Sequence, residues 1–258
     1  MTSLLSNSLF LLLGSVLAAP FTPNLVPRAL NPSCAPGGNF DLSLWNLQLP
    51  TGTQGHIDQI TSSTLKGCSG YSTSNYFFTD SKDGALIMKV PGSPSSAGCV
   101  TTSGSKHCRT ELREVNPSSW DPRKQVNRLK AKLSVPTPDD SKYGTVIGQI
   151  HVDDSVSSKP VCELFYNKNG DIAMGVEQIP DESSLKYTAI GNVPKNQTFT
   201  YEIRYEGGKL SVGINGEVFK TLGTGGLESP KSYFKVGNYN QGDSASSVRF
   251  LSIDVAHS

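Results

Sequence analysis

Short segments in which apolar and polar residues alternate, separated by turn residues, run through most of the chain. In residues 129–135, Leu, Ala, Leu and Val occupy the odd positions, and Lys, Lys and Ser lie between them. A period of two predicts a strand with one face in the core and the other in water. Helical periodicity is scarce, so we expect an all-β protein.

Two dipeptides mark tight turns between consecutive strand-like runs. Gly207-Gly208 and Asn215-Gly216 favour type I′ hairpin turns, because both central positions of that turn need a positive φ. The runs beside these turns are 201–205, 209–214 and 217–221, and further strands are predicted at 86–90 and 247–255. Short strands at this spacing are typical of two antiparallel sheets packed face to face, so the pattern predicts a jelly-roll sandwich.

Composition and charge place the chain among ordinary globular proteins. It has 258 residues, of which 36% are hydrophobic, and no internal repeat or heptad is visible. Residues 33–258 are therefore predicted to form a single domain. Lys and Arg total 23 against 22 Asp and Glu, so charge favours neither nucleic acid nor a membrane surface as a partner.

The N-terminal segment resembles a secretory signal. An apolar stretch, too short to span a bilayer, ends in small residues, with Val16 and Ala18 placed for cleavage after Ala18. We expect a signal peptide over residues 1–18 and a linker or pro-segment over 19–32, and hence a secreted, extracellular protein. A buried helix is the alternative, although Pro20, Pro23 and Pro27 would break its continuation.

The five cysteines fit an oxidising compartment, with up to two disulfides and one thiol left over. Their spacing does not fit a zinc site. Cys99 with Cys108 is the preferred local pair, and the rest of the connectivity stays open. Asn196-Gln197-Thr198 is a glycosylation acceptor, which is consistent with secretion.

Three polar-rich segments depart from the pattern of a plain sandwich. In Arg109-Thr110-Glu111-Leu112-Arg113 the three charged side chains share one face of a strand. In 146–152, strict alternation places Gln149 and His151 on one face with Ile147, and the other face holds Val146, Gly148, Ile150 and Val152. In 233–241 one face carries Tyr233, Lys235, Gly237, Tyr239 and Gln241, and the other Phe234, Val236 and Asn238.

Each segment alone also fits a structural role: a solvated face of paired charges, a core histidine with one partner, or an exposed sheet surface. Together they offer guanidinium forks for a carboxylate, an amide donor, and phenol and imidazole groups that carry protons. That set suits cleavage of an acidic sugar polymer by β-elimination. The reaction removes the C5 proton next to a neutralised carboxylate, and the C4 oxygen leaves as it is protonated.

These segments resemble the signature strands of polysaccharide lyase family 7, the alginate lyases. The matching motifs, in the family's order, are Arg109-Thr110-Glu111-Leu112-Arg113, Gln149-Ile150-His151 and the segment 233–241. Residues 40–42 and 45–50 resemble the family's first strand, so the likeness covers about 40–255. The resemblance implies a jelly-roll with an open groove on a concave sheet, no cofactor and no obligatory metal. Asn238 departs from the family pattern, which usually has a small or apolar residue there.

The resemblance also implies roles for individual residues. Arg109 and Gln149 would bind the carboxylate at the cleavage point, Tyr239 would protonate the leaving oxygen, and His151 would act as base or as a neutraliser. Glu111 is expected to orient the arginines. Cations beside Tyr239 would be needed to lower its pKa, with Arg109, Arg113 and Lys235 as candidates. Further substrate-binding residues are expected to be Arg113, Glu111, Lys235, Tyr233 and Gln241.

The expected partner is alginate, an acidic polysaccharide, and the expected oligomeric state is a monomer. The Gln149-Ile150-His151 form is associated in the family with guluronate-containing blocks. Three alternatives stay open. They are a lyase on another polyuronate such as glucuronan, a β-sandwich hydrolase, and a secreted carbohydrate-binding module. Many sandwich hydrolases carry a Glu-x-Asp-x-Glu strand, which the chain lacks.

Overall fold

The computed structural model describes residues 29–180 and 184–258. The predicted signal peptide, 1–18, and most of the predicted linker, 19–32, lie outside these residues. Over the part that is described, no helix is long and apolar enough to cross a membrane.

Fifteen strands and three short helical turns make up the described chain. The strands are β1 (Trp45–Thr53), β2 (His56–Ile60), β3 (Phe77–Thr79), β4 (Leu86–Val90), β5 (Arg109–Glu114), β6 (Asn127–Thr137), β7 (Thr145–Val152), β8 (Pro160–Tyr166), β9 (Asp171–Glu177), β10 (Leu185–Asn192), β11 (Phe199–Glu206), β12 (Lys209–Ile214), β13 (Lys220–Leu222), β14 (Ser232–Tyr239) and β15 (Ser246–His257). The helical turns are a 3₁₀ turn (Pro36–Gly38), α1 (Ser62–Leu65) and α2 (Pro94–Ala97).

The strands form two antiparallel sheets, as the sequence predicted for a jelly-roll sandwich. The first, called here the groove sheet, has the order β10-β9-β8-β7-β14-β5-β1-β2. The second, the back sheet, has the order β13-β12-β11-β6-β15-β4-β3. Apolar side chains from both sheets form one large core between them. This places β5, β14 and β7, the three signature strands, side by side in the middle of one sheet.

The alternation predicted for β6 is confirmed, and so is one of the two predicted hairpin strands that follow Gly207-Gly208. Leu129, Ala131, Leu133 and Val135 are fully buried, while Lys130 and Lys132 are exposed. The predicted strand 209–214 coincides with β12. The prediction of a strand at 217–221 was wrong, since β13 spans only Lys220–Leu222. The predicted turn at Asn215-Gly216 is present, since both residues have a positive φ and Glu217 N–H donates to the Ile214 carbonyl, but strand pairing resumes only at Lys220.

Two disulfides hold the loops around the groove sheet. Cys99 pairs with Cys108, as expected, and Cys34 pairs with Cys68. Cys162 is free and buried on β8. Asn196, in the predicted glycosylation acceptor, is exposed with φ at 68°, and its modification stays a prediction.

Candidate active site

A groove of about 720 Å³ lies over the centre of the groove sheet. The register aligns Arg113 on β5 with Lys235 on β14, and Lys235 with Gln149 on β7. Eight of the nine predicted site residues line this groove, namely Arg109, Arg113, Gln149, His151, Tyr233, Lys235, Tyr239 and Gln241. The ninth, Glu111, has no exposed surface and lies beneath them. The three polar-rich segments therefore meet at one place.

Glu111 is the centre of a buried charge cluster. Its Oε2 accepts from Lys235 Nζ at 2.5 Å and from Arg109 Nη1 at 3.4 Å, and its Oε1 accepts from the Gln149 amide. Two cations thus share one carboxylate, and the cluster carries a net charge of +1. Of the two arginines that Glu111 was expected to orient, it contacts Arg109 but not Arg113, which pairs with Asp154 at 2.7 Å.

The pKa values of Glu111 and Lys235 reflect the presence of two cations beside one carboxylate. Burial alone would raise the pKa of Glu111, but Lys235 and Arg109 more than offset it, so the pKa lies below its ordinary value. Burial and the neighbouring Arg109 lower the pKa of Lys235 to about 8, against the opposing effect of Glu111. Two positive charges face one negative charge, so the cluster can bind a second anion.

Tyr239 lies against Arg109. The Arg109 guanidinium carbon is 4.0 Å from the Tyr239 ring centroid, and the Tyr239 hydroxyl is 2.9 Å from Ser105 Oγ. Burial raises the pKa of Tyr239, and the opposing effect of Arg109 does not reverse this. The condition for Tyr239 to act as a base, a pKa lowered by nearby cations, is therefore not met, and Tyr239 is a neutral phenol that can donate a proton.

Only two of the three cations expected near Tyr239 are there. Arg109 packs on its ring, and Lys235 Nζ is 6.0 Å from the ring centroid. Arg113 instead stacks on Tyr233, with its guanidinium carbon 4.3 Å from that ring. The reason is the strand register, which pairs Tyr239 with Arg109 and leaves Arg113 four residues further along β5.

His151 presents an unprotonated nitrogen. Its Nδ1 lies 2.8 Å from the carbonyl oxygen of Val152, an atom that can only accept. Nδ1 therefore carries the hydrogen, and Nε2 keeps its lone pair. The ring stacks on Tyr233 with centroids 5.0 Å apart. Burial, reinforced by the charge of Lys235, lowers the pKa of His151 to about 4, so the imidazole is neutral near pH 7.

Strict alternation failed at the start of β7. A bulge between Val146 and Gly148 turns Ile147 into the main core, whereas Val146 packs with Tyr239 outside it. The prediction had placed Val146 on the face of Ile150, and Ile147 on the face of Gln149, and both assignments were wrong. The back sheet explains the bulge, because the Tyr201 hydroxyl donates to the Ile147 carbonyl at 2.8 Å. A Cβ at Gly148 would lie 2.5 Å from that hydroxyl, so the position needs glycine.

The end of the third segment also differs from the prediction. Strand β14 stops at Tyr239, and Gln241 lies in the following loop rather than on the strand face. Asp139 Oδ2 accepts the Gln241 backbone N–H at 2.7 Å, which fixes the turn there. Gln241 still lines the groove. Asn238 points away from it, as expected, and donates to the Met88 carbonyl at 3.1 Å.

Several groove residues were not found from the sequence. They are Gln48, Gln59, Ser105, His107, Asp154, Glu163 and Glu177. Gln48 follows the alternation of β1 and was open to prediction from it. Ser105 and His107 lie inside the ring closed by Cys99 and Cys108, whose closeness to Arg109 was a usable signal. No local pattern marked Glu163, because β8 is predominantly apolar and buried on both faces.

Within residues 29–180 and 184–258, no group of three or more His, Cys, Asp or Glu side chains is placed to hold a metal ion. The groove brings together three kinds of side-chain group that can act on an acidic sugar. These are a cationic cluster with one spare unit of charge, a neutral phenol and a neutral imidazole.

Comparisons with known proteins agree on one family. The sequence model described as alginate lyase matches residues 40–257. A protein named alginate lyase from Klebsiella pneumoniae is 30% identical over 270 residues, covering 80% of this chain and 84% of that protein.

Solved structures give the same result. The family 7 alginate lyase A1-II′, in a variant bound to a product written GGG, is 28% identical with a TM-score of 0.73. That superposition covers 87% of this chain and all of the other. An alginate lyase from Pseudomonas aeruginosa is 27% identical with a TM-score of 0.68, covering 84% of this chain and all of that one.

Proposed function

Because the chain belongs to the alginate lyase family, we propose that it cleaves alginate by β-elimination and leaves a 4,5-unsaturated uronate end. The resemblance to polysaccharide lyase family 7 is confirmed. The proposal concerns the reaction course, the residues that perform it and the place where it occurs.

The observation that carries the proposal is the unbalanced cluster around Glu111. Arg109 is 7% exposed, and its Nε has no hydrogen-bond partner in the described part of the chain. A buried donor without an acceptor is costly. A uronate carboxylate bound against the part of Arg109 that lines the groove would cancel the net charge of +1. The same contacts would stabilise the enolate-like charge that forms when C5 loses its proton.

The two proton carriers have complementary protonation states. His151 Nε2 holds a free lone pair and takes the C5 proton, and the electrons of that C–H bond form the C4–C5 double bond. The C4–O4 bond breaks, and Tyr239 gives its phenolic proton to O4. In guluronate the C5 hydrogen and O4 lie on opposite sides of the ring, which suits two separate groups. In mannuronate they lie on the same side, where a single group can serve both steps.

We propose that the protein acts outside the cell. Support comes from the signal-like residues 1–18 and from two disulfides, which persist in oxidising compartments. Alginate is a polymer, and an extracellular enzyme meets it without transport.

The test is a panel of separate mannuronate, guluronate and glucuronate polymers, monitored by short-ultraviolet absorbance. Elimination creates a double bond conjugated to the carboxylate, and this bond absorbs. Absorbance from the mannuronate or guluronate polymers supports the proposal. New reducing ends without absorbance would indicate hydrolysis, and binding without either would indicate a carbohydrate-binding module. Absorbance from the glucuronate polymer alone would reassign the substrate.

The division of labour between the proton carriers has its own test. His151→Ala is expected to reduce cleavage of guluronate at least as much as cleavage of mannuronate. His56→Ala is the matched control, because His56 is exposed on β2 and does not line the groove. A larger loss on mannuronate would contradict His151 as the base for guluronate.

A further inference from the structure

One carboxyl on the groove floor has no part in the reaction described above. Glu163 on β8 is aligned with Gln149 on β7, which is in turn aligned with Lys235. Neighbouring strands lie about 4.8 Å apart, a distance comparable to one sugar ring. Glu163 lines the groove and is 7% exposed. It therefore lies where the saccharide next to the bound carboxylate would pass.

Glu163 has no partner for a negative charge. Among residues 29–180 and 184–258, no hydrogen bond or ion pair reaches its carboxyl. Burying an unpaired carboxylate is costly, so burial favours the protonated form. Burial, together with the charge of Glu111, raises the pKa of Glu163 to about 7. Below that pH the side chain is a neutral acid with one O–H donor, and above it the side chain only accepts.

The groups around Glu163 compensate a negative charge on it only in part. The charged or titratable side chains that interact with it are Arg109 and Glu111 on β5, Lys235 and Tyr239 on β14, Glu177 on β9 and Tyr187 on β10. The same groove also holds Lys106, His107, Arg113, His151, Asp154, Lys159 and Tyr233. Arg109 and Lys235 attract a negative charge on Glu163, but burial and the charge of Glu111 outweigh them. Glu177 repels a negative charge on Glu163. Its own carboxylate accepts from the backbone N–H groups of Gln178 and Ser184.

We propose that Glu163, as a neutral acid, donates a hydrogen bond to the uronate residue bound next to the cleaved linkage, and that its ionised form repels the polymer. The proposal rests on the proposed function, since it requires a substrate with a carboxylate on every residue. An unpaired carboxylate in a polyanion groove opposes binding, whereas a neutral donor supports it. Glu163 would thus couple substrate affinity to pH through a residue that takes no part in proton transfer at C5 or O4.

The experiment compares Glu163→Gln and Glu163→Ala with the wild type on the preferred polymer between pH 5.5 and 9. The Gln variant keeps a donor at every pH and never ionises, whereas the Ala variant has neither donor nor charge. Glu217→Gln, in an exposed turn outside the groove, is the control for removal of a carboxylate. Taking each variant as a ratio to the wild type cancels the titration of the remaining groups.

For Glu163→Gln, the ratio of kcat/KM to the wild type should be constant below pH 7 and rise towards tenfold per pH unit above it. For Glu163→Ala, kcat/KM at pH 6 should fall by about tenfold, mainly through KM, because the donor is lost. The ratio for Glu217→Gln should stay flat.

Two results would overturn the proposal while the wild type remains active. They are a Glu163→Gln ratio that stays flat to pH 9, and a Glu163→Ala variant that matches the wild type at pH 6. Urea unfolding at pH 6 establishes that both variants are folded. A wild type that gives no short-ultraviolet absorbance on any polyuronate would overturn the proposed function itself, and the Glu163 proposal with it.

Discussion

The two sheets of the sandwich carry similar alternating charges but treat them in opposite ways. On the back sheet, Arg128 pairs with Glu206 at 2.8 Å, and Arg204 with Glu202 at 2.5 Å, with all four side chains partly exposed. On the groove sheet, the side chains around Glu111 are almost completely buried under the groove. In both sheets the charged side chains of a strand lie two residues apart, on one face. The difference is that the charged side chains of the back sheet are in contact with water, whereas those around Glu111 are buried against one another.

This contrast teaches that strand alternation identifies which residues share a face, but not the dielectric environment of that face. An exposed pair is screened and contributes little to the free energy of unfolding. A buried pair is strongly coupled, so removal of one member leaves an uncompensated charge. A buried polar face is therefore retained at a cost to stability, and in this protein it coincides with the candidate active site. The following changes test that contrast, in order of decreasing effect.

Tyr239→Phe is expected to have the largest effect. The substitution removes the proton donor from the groove but keeps the ring that packs on Arg109. Loss of a general acid lowers kcat by roughly 10²–10⁴, while the affinity for the polymer should stay within a few-fold. Short-ultraviolet kinetics measure the first, and calorimetric titration with the polymer measures the second. A variant that retains most of its rate would remove Tyr239 from the acid role.

Glu111→Gln tests the buried side of the contrast directly. The change leaves Lys235 and Arg109 close together without an anion, so the free energy of unfolding should fall by about 3–5 kcal/mol. Urea unfolding with linear extrapolation is the measurement. A loss below about 1 kcal/mol would mean that water screens the cluster as it screens the back sheet. Activity should also fall, because Glu111 positions Arg109 and Gln149.

The dependence of kcat/KM on pH in the wild type is expected to show an effect of intermediate size. His151, the proposed base, can accept a proton only when neutral, and burial lowers its pKa to about 4. On the acid side, kcat/KM should therefore stay constant from pH 6.5 down to about pH 5 and fall only near pH 4, since this parameter reports the free enzyme. A histidine with an ordinary pKa would place this limb near 6.5. An acid limb observed there would show that the groove does not desolvate His151.

Glu202→Gln should have the smallest effect and completes the contrast. Glu202 faces partly exposed Arg204 on the back sheet, so the loss in the free energy of unfolding should be within about 1 kcal/mol. Catalysis should be unchanged, because Glu202 is far from the groove lining in the fold. If Glu202→Gln destabilised the protein as much as Glu111→Gln, the two faces would be energetically equivalent, contrary to the structure.

Much of the fold was accessible from the sequence, because alternation and turn residues are local signals. Strand β12 and the buried positions of β6 follow from them directly. The bulge in β7 was not accessible, since it depends on Tyr201 from the other sheet. The site residues were found through three motifs, yet the partner of Arg113 is Asp154, a loop residue without a periodic pattern. Glu163 was missed because its strand is mostly apolar and hides a single carboxyl.

The ring closed by Cys99 and Cys108 forms one wall of the groove, whereas the strands of the groove sheet form its floor. Ser105, which contacts the Tyr239 hydroxyl, belongs to this ring and to none of the fifteen strands. The ring can therefore vary in sequence or length without disturbing the register of β5 or β14. Such a tethered insert gives an engineer a replaceable part, in which residues other than Ser105 can be changed while Tyr239 and His151, the proposed proton-transfer groups, stay on an unchanged scaffold.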